Sequence, residues 1–316
     1  MKSNGPHIIG LGAGRAGTTY VYEYLKQHPQ VCMSAIKELS FFSSKIGLSE
    51  VEYQKYLENF DFKSGMVVGE ISPSYIWPQI LDNGVTELEV FRNMKRHLPL
   101  DTILFLVLRS PAARAYSQFL FEVKEGVIRT NCFLEELRKG KDSEFAFVGC
   151  TFLADAIELM YHELRDYEIV TLVNEIDLGG AESLGLKKIS SILNIEVMGF
   201  DANAKINTTK KTELYIPEHE SLKVLLDGAN LPPSDETSAK WLEIKPGYVY
   251  IKTGWHLWNK MLGPFSRSEL EEYRLLQEFI SEGMSREMEV QINLEIYRDE
   301  IEKTQKSTGI DLSLWT

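Results

Sequence analysis

The chain has 316 residues, of which 44% are hydrophobic, and its formal net charge at pH 7 is −12. That length and apolar content allow one large α/β domain with a sizeable core. The negative charge disfavours long polyanions such as nucleic acid or sulfated polysaccharide, because a net negative field slows their approach. We therefore expect no nucleic-acid partner.

Cysteine usage and hydropathy bear on the compartment. The three cysteines Cys32, Cys132 and Cys150 lack metal-ligand spacing, and their odd number argues against a disulfide framework. No basic-then-apolar leader precedes the first apolar run, and no uninterrupted apolar stretch approaches membrane-spanning length. The sequence predicts a cytoplasmic protein, or a domain excised from a longer chain, with no metal site and no membrane partner.

Five short apolar runs alternate with helical segments along the first two thirds of the chain. The runs are His7 to Leu11, Val31 to Met33, Met66 to Gly69, Thr102 to Leu108 and Glu168 to Val173. This alternation requires crossover connections, so it predicts a mostly parallel sheet of about five strands with helices on both faces. Such sheets bind ligands at the carboxyl ends of their strands, and the unusual residues of this sequence follow those ends.

The pattern loosens after Leu193. Three prolines and several polar residues in Gly228 to Gly247 predict a mobile loop or flap rather than a linker, so we expect a single domain over residues 1–316. Ser266 and Glu269 form an S-x-x-E capping box that predicts a helix from Glu269 to Ser281. A further helical stretch follows to about Gln305, giving a helical C-terminal region.

The turn after the first strand fits two phosphate-binding patterns. Gly12, Gly14 and Gly17 spell the G-x-G-x-x-G of a dinucleotide-binding turn, whereas Gly12, Gly17, Thr18 and Thr19 match a P-loop without its lysine. Both place glycines before a helix, Thr18 to Gln27, whose free N–H groups bind an anion.

The dinucleotide interpretation stays open at this point, because Glu38 lies near the spacing of a ribose-binding acid. A P-loop kinase is disfavoured, since Thr18 replaces the lysine and no convincing magnesium-binding aspartate follows.

A second anion signal follows the fourth run. Arg109 ends a buried strand, Ser110 and Pro111 then read as the N-cap and first residue of a helix, and Ser117 lies two turns into it. An arginine at a strand end can bind an anion with two hydrogen bonds, and a hydroxyl on the adjacent helix can add a donor.

Taken together, these motifs resemble those of sulfotransferases that use 3′-phosphoadenosine-5′-phosphosulfate (PAPS). That family has a 5′-phosphosulfate loop of pattern G-x-x-[KR]-x-G-T-T and a 3′-phosphate motif with an arginine and a serine eight residues apart. Further family-like pieces are L-x-x-H-P at Leu25 to Pro29, K-E-L-S-F-F at Lys37 to Phe42, G-E-I-S-P-S-Y at Gly69 to Tyr75, and the closing segment that ends at Trp315.

The resemblance implies a three-layer P-loop-like fold, PAPS as the donor and adenosine 3′,5′-bisphosphate (PAP) as the product. It assigns the nucleotide to Gly12, Ala13, Gly14, Arg15, Ala16, Gly17, Thr18, Thr19, Arg109 and Ser117. Many family members have lysine where this chain has Arg15, which keeps the charge but not the ability to donate a proton.

Four residues are candidates for the chemistry. By the resemblance, Glu70 is placed as the base that takes the proton of the acceptor hydroxyl, and Arg15 is the cation that stabilises the leaving phosphate. Lys37 is a candidate for neutralising the transferring group, with an ion pair to Glu38 as the alternative. His256 is a second candidate base, because a neutral imidazole suits that task near neutral pH.

The acceptor is predicted only by class. The chain lacks the membrane anchor and paired cysteines that polysaccharide sulfotransferases of the secretory pathway commonly carry, which favours a small or carrier-bound hydroxyl substrate. One hypothesis is a resemblance to sulfotransferase domains embedded in polyketide synthases, which sulfate a β-hydroxyacyl chain on an acyl carrier protein. A nicotinamide-dependent oxidoreductase and a non-catalytic nucleotide-binding module remain the competing classes.

Overall fold

A computed structural model describes most of the chain. It covers residues 5–62, 65–81, 83–125, 133–138, 149–178, 184–199, 214–216, 240–245, 248–253, 256–262, 274–275 and 284–316. The chain divides into two compact units: residues 1–114, 150–207 and 290–316 form the first, and residues 115–149 and 208–289 form the second. The single-domain organisation stays a prediction.

The first unit contains a sheet of five parallel strands in the order β2-β3-β1-β4-β5. The strands are β1 Ile8–Gly12, β2 Val31–Met33, β3 Val67–Ile71, β4 Ile103–Leu108 and β5 Glu168–Val173. All residues of β1 and β3 are buried, which is typical of parallel strands covered by helices on both faces. The five predicted strands and the α/β fold class are confirmed.

Helices connect and flank these strands. They are α1 Thr18–Gln27, α2 Glu50–Leu57, α3 Glu87–His97, α4 Pro111–Glu125, α5 Phe133–Arg138, α6 Ala154–Glu163, α7 Leu184–Leu193, α8 Arg286–Ile296 and α9 Arg298–Thr308. The helical C-terminal region is thus confirmed over α8 and α9. The helix α5 and most of α4 belong to the second unit.

Crossover handedness puts the helices of the first unit on two faces. The chain moves one way across the sheet from β1 to β2 and the other way from β3 to β4 and β5. Since parallel crossovers are right-handed, α1 lies on the opposite face from α3 and α6. The helices α3, α6 and α9 pack together, while Tyr24 of α1 and Ser190 of α7 share a 2.7 Å hydrogen bond.

Local capping signals explain where several helices begin. Ser49 and Glu52 form a reciprocal capping box at α2, and the hydroxyl of Thr86 accepts from an amide of α3. Ser110 precedes α4 and Pro111 is its first residue, as the sequence predicts.

The carboxyl edge of the sheet gathers several candidate site residues. The turn from Gly12 to Gly17 follows β1, and Glu70 is the last residue but one of β3. Arg109 directly follows β4, and Asn174 directly follows β5. Because β3 and β4 are the two neighbours of β1, their ends flank the turn on either side.

The second unit contains an antiparallel sheet that the sequence analysis did not predict. Its order is β10-β6-β7-β8-β9, with β6 Leu214–Ile216, β7 Lys240–Lys245, β8 Tyr248–Thr253, β9 His256–Leu262 and β10 Arg274–Leu275. The loop predicted for Gly228 to Gly247 therefore includes a strand at β7. The helix predicted for Glu269 to Ser281 is wrong at Arg274 and Leu275. The rest of both stretches lies outside the described residues.

Pairing between distant segments explains these corrections. Arg274 pairs with Ile216, about sixty residues earlier, so a local capping box is outweighed by a partner strand that satisfies the backbone. A hairpin signal was present in the sequence, because Pro246-Gly247 and Gly254-Trp255 each separate two alternating runs. The register agrees with it, pairing Lys245 with Tyr248 and Thr253 with His256.

Candidate active site

The turn after β1 depends on two glycines with positive φ. Gly12 has φ 133° and Gly17 has φ 104°, both in the region that side chains rarely adopt. A Cβ atom on Gly17 would lie 2.5 Å from Nδ2 of Asn174, so the approach of that amide requires glycine there. Arg15, between them, is left-handed at φ 61°.

Three side chains hold three consecutive carbonyl oxygens of this turn. Arg114 lies in the first turn of α4, Arg109 follows β4 and Asn174 follows β5, yet all three donate to the same short segment. The pairs are Arg114 Nε to the carbonyl of Gly14 at 3.1 Å, Arg109 Nη1 to that of Arg15 at 3.0 Å, and Asn174 Nδ2 to that of Ala16 at 2.7 Å. With its acceptors engaged in this way, the turn is fixed at the carboxyl edge.

The backbone amides of the same turn, unlike its carbonyl oxygens, are not all used within the protein. Among the described residues, the amides of Gly14, Gly17 and Thr18 donate to no protein acceptor. The helix α1 begins there without a side-chain cap and without an acidic residue in its first turn. Unused amides at an uncapped helix start form a site that favours an anion, so this turn can bind a phosphate or sulfate group.

Arg114 was missed by the sequence analysis. Its side chain is buried, and Nη2 donates to the carbonyl of Cys150 at 2.7 Å. Burial lowers the pKa of the guanidinium from its ordinary value. The available signal was an arginine among the alanines of the P-A-A-R-A segment. A cation in such an apolar segment is buried only when it has hydrogen-bond acceptors, so it indicates a specific contact.

Asn174 was also missed, although the rule that identified Arg109 identifies it as well. Both residues directly follow a buried strand at the carboxyl edge. The same rule, applied to β5 as well as to β4, predicts Asn174 as a candidate site residue.

The start of α4 is occupied by a carboxylate of the protein itself. Glu175 accepts from the amide of Ser110 at 3.0 Å and from Nε1 of Trp315 at 3.1 Å. A negative charge at this helix start is favourable, but it leaves that end unsuited to a bound anion. The side chain of Arg109 stays a predicted ligand of a 3′-phosphate, and Ser117 is half-buried on the part of α4 that belongs to the second unit.

Glu70 is fully buried and held by three hydroxyl groups. Ser72 donates to Oε2 at 2.6 Å, Tyr56 donates to Oε1 at 3.2 Å, and Tyr75 also donates to Oε1. Burial raises the pKa of Glu70 to about 7, although the three hydroxyl donors act in the opposite direction. A carboxyl group with this pKa exchanges its proton near neutral pH.

Comparisons with known proteins were made for the whole chain. No protein-family model matches it. It is 30% identical over 120 residues to the membrane-associated sulfotransferase kil1 of Dictyostelium discoideum, a match that covers 38% of this chain and 23% of that protein. It also resembles a solved sulfotransferase from Alicyclobacillus acidocaldarius, with a TM-score of 0.50 and 18% identity over 71% of this chain and 92% of that one. Over 120 residues the chain is thus similar to one sulfotransferase, and in fold it is similar to another.

The solved structure is similar in fold, and the match to kil1 spans less than a quarter of that protein's length. No helix among the described residues is both long and apolar enough to cross a membrane. The part of the chain that the structure describes also holds no group of three or more His, Cys, Asp or Glu side chains suited to a metal ion.

Lys37 and His256 are the remaining candidate residues. Lys37 forms an ion pair with Glu38, the alternative that its sequence neighbour suggested. In the described residues, Glu70 forms no ion pair with Lys37 or Arg15. His256 is the first residue of β9, and its side chain lies outside the described part of the structure. The geometry thus brings Arg109 to the turn after β1, and it gives Lys37 a carboxylate partner.

Proposed function

We propose that this protein is a sulfotransferase that moves a sulfuryl group from PAPS to a hydroxyl group of its acceptor. The observation that carries the proposal is the hydrogen bond from Arg109 to the carbonyl of Arg15, 94 residues apart in the chain. It joins the two motifs that would grip opposite ends of one adenosine nucleotide. The relationship to sulfotransferases supports the same activity.

The residues of the turn fit the 5′ end of such a donor. Amides of Gly14, Gly17 and Thr18 would donate to the phosphosulfate, aided by the hydroxyls of Thr18 and Thr19. Ala13 and Ala16 are buried, so their side chains leave the ligand side of the turn to the backbone. Arg109 would bind the 3′-phosphate.

Positioning and charge stabilisation would supply most of the catalysis, as in phosphoryl transfer. PAPS brings a sulfuryl group bonded to a phosphate that leaves. The guanidinium of Arg15 stays charged at all physiological pH values and would stabilise negative charge on the leaving side, each fixed donor contributing on the order of 2.7–4 kcal/mol.

Glu70 would take the proton of the acceptor hydroxyl as its oxygen bonds to sulfur. Two features support this role: the raised pKa, about 7, and the carboxylate oxygen Oε2, which accepts from Ser72 alone among the described residues. An oxygen with one donor retains a lone pair for a second. Lys37 would orient substrate only after exchanging its partner Glu38, and His256 remains the second candidate base.

For the acceptor we propose a small or carrier-bound hydroxyl compound, such as a β-hydroxyacyl chain on an acyl carrier protein, and a cytoplasmic setting. The net charge of −12 supports a preference against polyanionic acceptors. A domain embedded in a polyketide synthase would meet such an acyl chain.

A ligand screen separates this function from its competitors. A ligand at ~100 times its dissociation constant adds about 2.7 kcal/mol to the free energy of unfolding, so PAP should raise Tm clearly while NAD leaves it unchanged. A shift with NAD alone would instead support an oxidoreductase.

Turnover is the second measurement. With labelled PAPS and a panel of β-hydroxyacyl substrates, we expect sulfated product from the carrier-linked forms. Equal turnover of free acids would remove the carrier from the proposal. PAP binding without any product would identify a non-catalytic module.

The role of Glu70 has its own test. Glu70→Gln should keep PAP affinity and lose ~10²–10⁴-fold in kcat, the usual contribution of a positioned base. Unchanged turnover in that variant would move the base role to His256, which His256→Ala then tests directly.

A further inference from the structure

Two of the hydroxyls that hold Glu70 are themselves held by backbone amides of one segment. The amide of Phe41 donates to the hydroxyl of Tyr75 at 3.1 Å, and the amide of Ser40 donates to the hydroxyl of Ser72 at 2.9 Å. Tyr75 and Ser72 then donate to the two different oxygens of Glu70. The result is two parallel hydrogen-bond chains between the segment and the carboxylate.

The direction of each chain is fixed by the donors available. A hydroxyl has a single hydrogen, and an amide can only donate. Once the hydroxyls of Ser72 and Tyr75 accept from amides, their hydrogens are directed to Glu70. An ionised carboxylate accepts at both oxygens, so the arrangement is complete when Glu70 carries its charge.

We infer that Tyr75 and Ser72 are positioning residues that fix both oxygens of Glu70 against the backbone of Ser40 and Phe41. The inference rests on the proposed function for its catalytic meaning, because Glu70 is the proposed base. The same bonds fix the segment that begins at Lys37, three residues before Ser40.

The neighbouring tyrosines provide an internal comparison. Tyr56 reaches Oε1 of Glu70 at 3.2 Å, and its ring stacks on Phe41 with centroids 4.4 Å apart. Tyr53 stacks on Tyr56 at 5.8 Å, but its buried hydroxyl has no hydrogen-bond partner in the described part of the chain. Removing the hydroxyl of Tyr53 therefore perturbs the same aromatic cluster without touching Glu70.

The titratable groups that act on Glu70 come from three elements. Tyr56 lies on α2, Tyr75 on the short 3-10 helix Pro73–Tyr75, and Glu38 on the segment that follows β2. The two tyrosines lower the pKa of Glu70 by donating to its charged form, and the charge of Glu38 raises it.

The test is a titration of Glu70 in protein labelled with ¹³C at the glutamate carboxyl, with its signal assigned by its loss in Glu70→Gln. In Tyr75→Phe we expect the pKa of Glu70 to rise by about 1, since a hydrogen bond to a charged group is lost. Ser72→Ala should act in the same direction, and Tyr53→Phe should leave the pKa unchanged. The acid limb of the plot of kcat against pH should move with the pKa of Glu70 that NMR gives for each variant.

Equal pKa values of Glu70 in Tyr75→Phe and Tyr53→Phe would overturn the inference, as would a fall in kcat without any displacement of the pH profile. Thermal unfolding of both tyrosine variants guards against a loss of fold. The two proposals fail separately. A wild-type protein without sulfuryl transfer would refute the proposed function, while the carboxyl titration would still decide whether Tyr75 and Ser72 hold Glu70.

Discussion

The guanidinium of Arg109 donates to the backbone carbonyl of Arg15 at 3.0 Å. One side chain of the second anion motif thereby braces the turn of the first. The contact leaves other donors of the guanidinium for a ligand, because arginine carries five N–H groups. In the proposed function, nucleotide binding and turn geometry are therefore linked through one residue.

The first prediction concerns the two roles of Arg109. Arg109→Ala should weaken the binding of PAP by ~10–100-fold, the loss expected for a charge-assisted contact. The binding of adenosine 5′-phosphate should weaken less, because this ligand has no 3′-phosphate and is affected only by the lost bond that braces the turn. Calorimetric titration with both ligands measures the difference, with Arg92→Ala, an exposed arginine paired to Glu89, as the control. Equal losses for the two ligands would contradict a 3′-phosphate contact.

A second prediction concerns the amide that holds the turn. Asn174→Ala removes the 2.7 Å bond to the carbonyl of Ala16, which should raise the Kd for PAP ~5–10-fold and lower stability by about 1 kcal/mol. Asn83 is a matched control, because its Nδ2 also donates to carbonyls, those of Ser43 and Ser44. Asn83→Ala should lower stability and leave the Kd for PAP unchanged. A similar change of Kd in both variants would argue against a specific role for Asn174.

The third prediction compares two glycines with positive φ. Gly17→Ala places a Cβ atom 2.5 Å from Nδ2 of Asn174 and 2.9 Å from Leu178, whereas a Cβ on Gly47 meets nothing within 4 Å. Both substitutions carry the backbone cost of ~1–2 kcal/mol, but only Gly17→Ala should also abolish PAP binding. Chemical unfolding and PAP titration of both variants check this, and retained binding in Gly17→Ala would show that the turn tolerates displacement of Asn174.

The fourth prediction follows from the pKa of Glu70, raised from 4.5 to about 7 by burial. The native state then holds a proton that the unfolded chain releases, so Glu70 lowers stability as pH rises from 4.5 to 7, and its effect is constant above that. The whole change amounts to ~3 kcal/mol. Glu70→Gln lacks this titration, so its free energy of unfolding relative to wild type should rise across that window. Parallel curves from pH 4 to 8 would show that the pKa of Glu70 is the same in both states.

How much of the site was predictable differs from residue to residue. The glycine turn after β1 and the place of Arg109 at the end of β4 were predictable, because glycine spacing and a polar residue at a strand end are local signals. Arg114 and Asn174 carried weaker signals, and their partners are carbonyls that no side-chain pattern reveals. The ion pair of Lys37 with Glu38 involves adjacent residues, and the sequence contained it as an alternative.

The sequence alone determined the parallel sheet of the first unit and the starts of α1 and α4. Those features depend on apolar runs, caps and turn residues that act over a few positions. It did not determine the antiparallel sheet, because β6 and β10 pair across about sixty residues and a local helix signal competed with that pairing.

Only the tertiary structure decided the environment of Glu70. Tyr56 reaches the carboxylate from α2, while Ser72 and Tyr75 reach it from the turn after β3, and the side chain of Glu70 is fully buried. A pKa responds to desolvation and to donors in three dimensions, neither of which is written in the order of residues. The same reason applies to the contact of Arg109 with Arg15, whose 94-residue separation is closed by two neighbouring strands.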